Sequence, residues 1–443
     1  MKSIPKVLNS DIPDAERLRT FQRKLYQKAR EEPNFRFYML YDKIFIPYIL
    51  REAYKRCRKN GGSPGIDNLS FEDIEKSGLK EYLEELRTDL LKKTYKPSMV
   101  KRVEIPKANG KTREPGIPTI RDRIVQMACK LVIEPIFEAD FKAESHGFRP
   151  KRSAKDAIKI VLSNLKEGYT EVFDADLSAF FDTIPHKELL CLVGKRISDK
   201  YVLHLIKMWL KTPVFEDGSP KGGKKNKTGT PQGGVISPLL ANIYLNLMDA
   251  IITKPGGYFQ RFGVKLVRYA DDFILMTKVK EAEMISGIKR LINRMGLALN
   301  TEKSRYVTAT DEAFDFLGFT FRYDIDLFGS KDKKYWNIFP GKKAEQSYRN
   351  KIRRYIKRHS HVSPVIISED INAITRGWVN YFHIPGVSYA MKSVRSLRYY
   401  LLNKLQRLYF RKSQRKSRLY RKGAYKTLVS NSGLVDPIDW LKS

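Results

Sequence analysis

Residues 268–276 read RYADDFILM, two adjacent carboxylates, Asp271 and Asp272, set in an otherwise apolar run. The flanks KLVRYA and FILMTKV suit two strands, so the acidic pair reads as the turn of a β-hairpin. The same pair at a hairpin tip also offers the oxygen ligands that a hard divalent cation accepts, and phosphate chemistry uses such cations. A third carboxylate, a substrate pocket and a polyanionic partner would separate the second reading from the first.

The third carboxylate is present upstream. In FDADLSAFFDTIPH (173–186) a short strand carries Asp174 and Asp176, which share a face because strand side chains alternate with period two. Either could join the 271–272 tip at one metal site, and the period alone does not choose. In GTPQGGVISP (229–238), Gln232 stands between a proline that fixes φ and two glycines that let a ligand approach closely, a setting suited to contacting a nucleotide. A basic β-hairpin adds charge: MVKRVEIP, a turn at 108–110 and the return KTREPGIPT place Lys107 and Arg113 beside the turn, able to neutralise a triphosphate if the hairpin folds over the carboxylates.

Charge names the partner class. The 443 residues carry 84 Lys and Arg against 49 Asp and Glu, a net +35, which favours a polyanion, nucleic acid before an anionic membrane surface. The excess is uneven: residues 341–443 hold 23 Lys/Arg and 5 Asp/Glu. Within them YYLLNKLQRLYFRKSQRKSRLYRK (399–422) interleaves aromatics with cations, a pattern suited to an RNA or DNA backbone. A hydrophobic content of 42% fills a normal core and argues against a disordered basic tail. No apolar run approaches the roughly 18 residues of a membrane span, and the start has no signal-peptide core, so a cytoplasmic protein is expected. Cys57, Cys129 and Cys191 form no close pair and the six histidines show no zinc spacing, which argues against a disulfide framework or a zinc module.

Helical spacing dominates residues 11–60, a loop follows at 60–65, and helices are expected at Phe71 to Lys93, at Ile120 to Phe141 and after the capping box that starts at Ser153. Beyond the Asp174 strand two helices run to Leu210, and a Gly/Lys-rich connection spans 212–229. Ser237 and Pro238 then supply the N-cap and N1 proline of the helix SPLLANIYLNLMDAI. Helices alternating with short strands predict an α+β domain over about 166–340, followed by an all-helical basic part.

In chain order, KRVEIPKANGKTREPGIPTIRDRIVQ, SHGFRPKRSAKDA, FDADLSAFFDTIPH, GTPQGGVISPLLANIYLN, VRYADDFILM and FLGF resemble the fingers and palm of the reverse transcriptases encoded by group II introns. RGWVNYFHIPG resembles their maturase, or thumb, segment. The resemblance implies a right-hand polymerase of α+β class, with an N-terminal extension and fingers at 1–165, palm at 166–340, helical thumb or maturase (X) domain at 341–422 and a short tail at 423–443. It implies RNA-directed DNA polymerase activity with two Mg²⁺ ions, or Mn²⁺ as substitute, held by Asp176, Asp271 and Asp272. Asp176 is preferred to Asp174 because in this family the first metal-binding Asp stands five residues before an aromatic under the sugar of the incoming nucleotide. That aromatic is here Phe181, which would exclude a ribose 2′-hydroxyl. The resemblance further places Lys107, Arg113 and Gln232 at the nucleotide, Leu317 and Gly318 in the primer grip, and Gly61 to Asp67 near the template.

The implied partners are group II intron RNA, an RNA template, a DNA primer or target and dNTPs, with no membrane, in a bacterial cytoplasm as part of a ribonucleoprotein. Assistance to intron splicing is the implied second role. The family's endonuclease module is not expected, because no cysteine follows Cys191. Two other functions remain open: a reverse transcriptase serving a host task such as defence or repair, and an RNA-binding splicing factor without polymerase activity. The intact carboxylates, Gln232 and basic hairpin speak against the latter.

Overall fold

The computed structural model describes residues 12–106, 112–113, 115–216, 218–223, 226–230, 233–325, 333–410, 419 and 423–442. Lys107, the 108–110 turn, Gln232 and most of the basic stretch 411–422 lie outside the described residues.

In chain order the strands are β1 (Val100–Arg102), β2 (Ile105–Pro106), β3 (Thr112–Arg113), β4 (Gly116–Ile117), β5 (Glu171–Ala175), β6 (Val214–Glu216), β7 (Ser219–Lys221), β8 (Lys265–Tyr269), β9 (Asp272–Thr277), β10 (Arg305–Thr308), β11 (Phe314–Phe316), β12 (Phe319–Ile325) and β13 (Lys334–Pro340). The central sheet is antiparallel, in the order β10-β5-β9-β8. It is covered on both faces, so its strands read as near-continuous apolar runs. Phe173, Ala175, Leu266, Phe273 and Leu275 belong to the largest core, shared with the helices Asp14–Glu31, Pro47–Asn60, Ile120–Glu138 and Ser237–Ile252. Val172, Val267, Ile274, Met276 and Val307 belong to a second core, with the helix Ala154–Lys166 and the sheet β11-β12-β13. A third core, including Tyr348, Ile371, Leu401 and Leu428, unites the helices Lys342–Arg358, Pro364–Phe382, Met391–Phe410 and Ala424–Asn431. The chain is therefore α+β with a helical C-terminal part.

The capping box at Ser153 forms with Asp156, and Ala157, Ile158, Val161, Leu162 and Leu165 are buried at helical spacing. Two expectations need correction. Ser237 is not the N-cap: Ile236 holds that place with helical φ and ψ, so Ser237 is already the first helical residue. Ile236 is buried in the core, and that burial sets the start of the helix ahead of the capping preference of serine. The 212–229 connection is not wholly irregular either. β6 and β7 form a hairpin, and β6 pairs in parallel with β1 to build a second sheet, β4-β1-β6-β7. Strands of three residues in a Gly/Lys-rich context are held by their pairing and leave little trace in composition.

Candidate functional site

The hairpin turn exists. Tyr269 pairs with Asp272, leaving Ala270 and Asp271 as a two-residue turn, with Ala270 at φ +59. β5 pairs with β9 through Asp174–Ile274 and Ala175–Phe273, so continuing the register sets Asp176 opposite Asp272. Asp176 itself stands one residue past β5. Its backbone is fixed from a third segment: its N–H donates to Ser304 Oγ at 3.2 Å and its carbonyl accepts from the N–H of Asn300 at 2.8 Å.

A network beneath the turn has no counterpart among the sequence expectations. Arg268 is fully buried, and its Nε donates to Asp249 Oδ1 at 2.8 Å, while Asp249 is itself fully buried. Arg268 Nη1 donates to Asn242 Oδ1 at 3.0 Å and to the carbonyl of Ala270 at 2.8 Å. Asn242 Nδ2 in turn donates to the carbonyl of Gly147 at 2.8 Å. Gly147 abuts the turn: a Cβ there would lie 2.3 Å from the Ala270 nitrogen. The carboxylate turn is thus held from below by a charge-assisted bond and from the side by a backbone that only glycine permits.

The electrostatics fit a cation. Asp272 has its carboxyl pushed up to about 6, by loss of solvation first and then by the charges of Asp271 and Asp176, with Lys303 opposing. Asp174 is also pushed up to about 6, again by desolvation first; Arg305 opposes, while Asp272, Asp176 and Asp315 add repulsion. Lys303 Nζ lies 2.9 Å from Asp176 Oδ2, and Arg305 Nε lies 3.8 Å from Asp174 Oδ2. Among the described residues no three His, Cys, Asp or Glu side chains close into a ready metal cage. Mg²⁺ is ordinarily held by one or two carboxylates together with waters and substrate phosphates, so the crowded acidic donors suit it without a cage.

Of the other candidates, Phe181, Arg113, Leu317 and Gly318 lie among the described residues. Phe181 lies on the short helix Phe180–Thr183, and its carbonyl accepts from the N–H of Thr230 at 2.6 Å. The N–H of Gly229 donates to the carbonyl of Ile184 at 2.9 Å, which stitches the segment leading to Gln232 onto the Phe181 helix. On the far side of that segment, a Cβ at Gly233 would fall 2.2 Å from the carbonyl oxygen of Gly116 in β4. Arg113 is placed opposite Ile105 in the β2–β3 pair of the same hairpin.

Leu317 and Gly318 form a tight turn between β11 and β12, with φ +50 and +79. The Tyr381 hydroxyl donates to the carbonyl of Leu317 at 3.0 Å, and the charge of Asp272 is among the causes that raise the Tyr381 phenol to about 12, after desolvation and Tyr269. The 317–318 turn is therefore braced from the helix Pro364–Phe382 by a residue within electrostatic reach of the acidic tip. The 61–67 loop is held by Arg123, whose Nη2 donates to the carbonyl of Ser63.

A signal for the buried network lay in the helix Ser237–Ile252. Asn242 and Asp249 are buried polar residues seven positions apart, two turns along one face of an apolar helix. No described helix is long and apolar enough to cross a membrane.

Residues 105–321 match the family described as reverse transcriptase (RNA-dependent DNA polymerase), and residues 345–425 match the group II intron, maturase-specific domain. Protein YkfC of Escherichia coli (strain K12) is 35% identical over 334 residues, covering 67% of this chain and 86% of YkfC. The group II intron-encoded protein LtrA of Lactococcus lactis subsp. cremoris is 28% identical over 332 residues, covering 71% of this chain and 52% of LtrA. Nuclear intron maturase 2, mitochondrial, of Arabidopsis thaliana is 36% identical over 166 residues, covering 29% of this chain and 22% of that protein. The chain thus spans most of YkfC and about half of LtrA.

Proposed function

The chain belongs to the group II intron-encoded reverse transcriptases, and from that membership we propose that it polymerises DNA on an RNA template and binds its intron RNA to assist splicing. The observation that carries the polymerase reading is the meeting of Asp271 and Asp272, at a two-residue turn, with Asp176 on the neighbouring strand end, in a setting that raises the Asp272 pKa.

In this reading Asp176, Asp271 and Asp272 would hold two divalent cations, which would supply activation of a primer 3′-hydroxyl and neutralisation of charge on a leaving pyrophosphate. The protein's own part is positioning. Arg268 fixes the turn carbonyl and Ser304 fixes the Asp176 backbone, so the carboxylates keep their spacing without reorganising. Phe181, tied to Thr230, lies under the sugar of the incoming nucleotide and excludes a 2′-hydroxyl by bulk. Lys107, Arg113 and Gln232 contact the nucleotide, and the 317–318 turn, braced by Tyr381, holds the primer. Residues 1–165 act as fingers, 166–340 as palm and 341–422 as thumb. The match at 345–425 and the positive charge of residues 341–443 support the RNA-binding role.

Primer extension on an RNA template with dNTPs and Mg²⁺ tests the polymerase reading. Asp271→Ala abolishes extension if the reading is right; undiminished extension by that variant removes it.

A further inference from the structure

Left-handed backbone at residues other than glycine concentrates around the acidic tip. Ala179 (φ +45) lies between Asp176 and Phe181, Ala270 (φ +59) is in the carboxylate turn, and Leu317 (φ +50) is in the 317–318 turn. Phe148 (φ +56) shares the conformation and carries a much larger side chain. A bulky residue at positive φ is a genuine outlier, and such strain persists where the surroundings over-determine it.

The surroundings of Phe148 do so. Ser145, His146 and Arg149 are buried, yet Phe148 is 49% exposed. On one side the N–H of His146 donates to the carbonyl of Arg268 at 2.9 Å, and the Gly147 carbonyl is held by Asn242. On the other, Arg149 Nε donates to Glu138 Oε1 at 3.1 Å and Arg149 Nη1 to the carbonyl of Ser145 at 2.8 Å. Because Gly147 abuts the Ala270 amide, its chain neighbour Phe148 stands beside the carboxylate turn, rigidly mounted and with its ring open to solvent.

We propose that the Phe148 ring packs against the terminal base pair of the template–primer duplex, at the end where nucleotides are added. A flat apolar ring beside an acidic cluster suits a base or sugar and not a bare phosphate, and aromatic contact with bases is tolerant of sequence, as copying requires. The exposed Lys151, three residues on and also left-handed at φ +59, offers a cation to the adjoining backbone. The inference rests on the polymerase reading and adds a substrate contact to it.

The test uses the full chain as wild type, Phe148→Ala, Phe148→Gly and Phe148→Tyr, with an RNA template annealed to a DNA primer. Affinity is read by fluorescence anisotropy, KM for template–primer and kcat by single-nucleotide addition, and the thermal midpoint alongside. Phe148→Ala and Phe148→Gly weaken template–primer binding and raise its KM by about 5- to 100-fold, while Phe148→Tyr stays close to wild type. Phe148→Gly at the same time keeps or raises the thermal midpoint, because glycine adopts the left-handed region freely. Unchanged affinity and KM in the Ala and Gly variants overturn the proposal. So does a fall in the thermal midpoint of Phe148→Gly that accounts for its weaker binding, since the ring would then be a packing residue. Failure of the wild type itself to extend the primer would remove the polymerase reading and this inference with it.

Discussion

Replacing Arg268 by methionine should loosen the acidic turn by a calculable amount. The substitution leaves the Asp249 carboxylate fully buried without its cation, and it strips Asn242 Oδ1 and the Ala270 carbonyl of their shared donor. Breaking a buried ion pair from one side costs about 3–5 kcal/mol, mostly the cost of the orphaned charge. Native-state hydrogen exchange at the β8 and β9 amides reads this locally, and protection there should fall by between about 10² and 10⁴. A double variant, Arg268→Met with Asp249→Leu, removes both charges and should regain most of that protection. It does not regain the bonds to the Ala270 carbonyl and Asn242, so nucleotide addition should stay about 10- to 100-fold below wild type, as expected for a misplaced catalytic group. Unchanged protection in the single variant would refute the energetic argument. Full activity in the double variant would refute the positioning role and leave the network as packing.

Phe181→Ala should admit ribonucleotides, measured as the ratio of kcat/KM for dNTP and NTP; an unchanged ratio would remove its role as gate. Because Asp272 is pushed up to about 6, protons compete with cations there below that pH. The Mg²⁺ concentration for half-maximal activity should therefore rise as pH falls through about 6 and level off above about 7, and a flat profile would contradict the raised carboxyl. Lys357, His361, Lys404 and Arg407 line an open cleft of about 650 Å³ in the C-terminal helical part. Lys404→Glu with Arg407→Glu should weaken RNA binding and flatten its logarithmic dependence on salt by about 0.7–0.9 for each phosphate no longer neutralised, whereas an unaltered slope would mark these cations as merely solvated.

Local chemistry made the acidic hairpin legible. The strand-forming flanks and the acidic turn lie within nine consecutive residues, and the structure adds only the left-handed Ala270. The choice between Asp174 and Asp176 was not local, because period two treats them alike. The family resemblance made that choice; the pairing of β5 with β9, far apart in sequence, continues into Asp176 opposite Asp272, while Lys303 lies against Asp176 and Arg305 against Asp174. Arg268 stood in plain view at the head of the hairpin, but its meaning depends on Asp249 and Asn242 in a preceding helix, and no short-range pattern ties the three together. β6 and β7 left no legible pattern because strands of three residues are made by their partners. Phe148 gave no signal at all, since neither its left-handed backbone nor its exposure can be read from SHGFRP.

The assignment of the carboxylates is tested most directly by single-nucleotide addition on an RNA template with Asp176→Asn compared against Asp174→Asn, both with the wild-type fold verified. Asp176→Asn should fall to background while Asp174→Asn stays within about ten-fold of wild type. Activity retained by Asp176→Asn, or lost only in Asp174→Asn, would contradict the metal-binding role of Asp176 on which the rest depends.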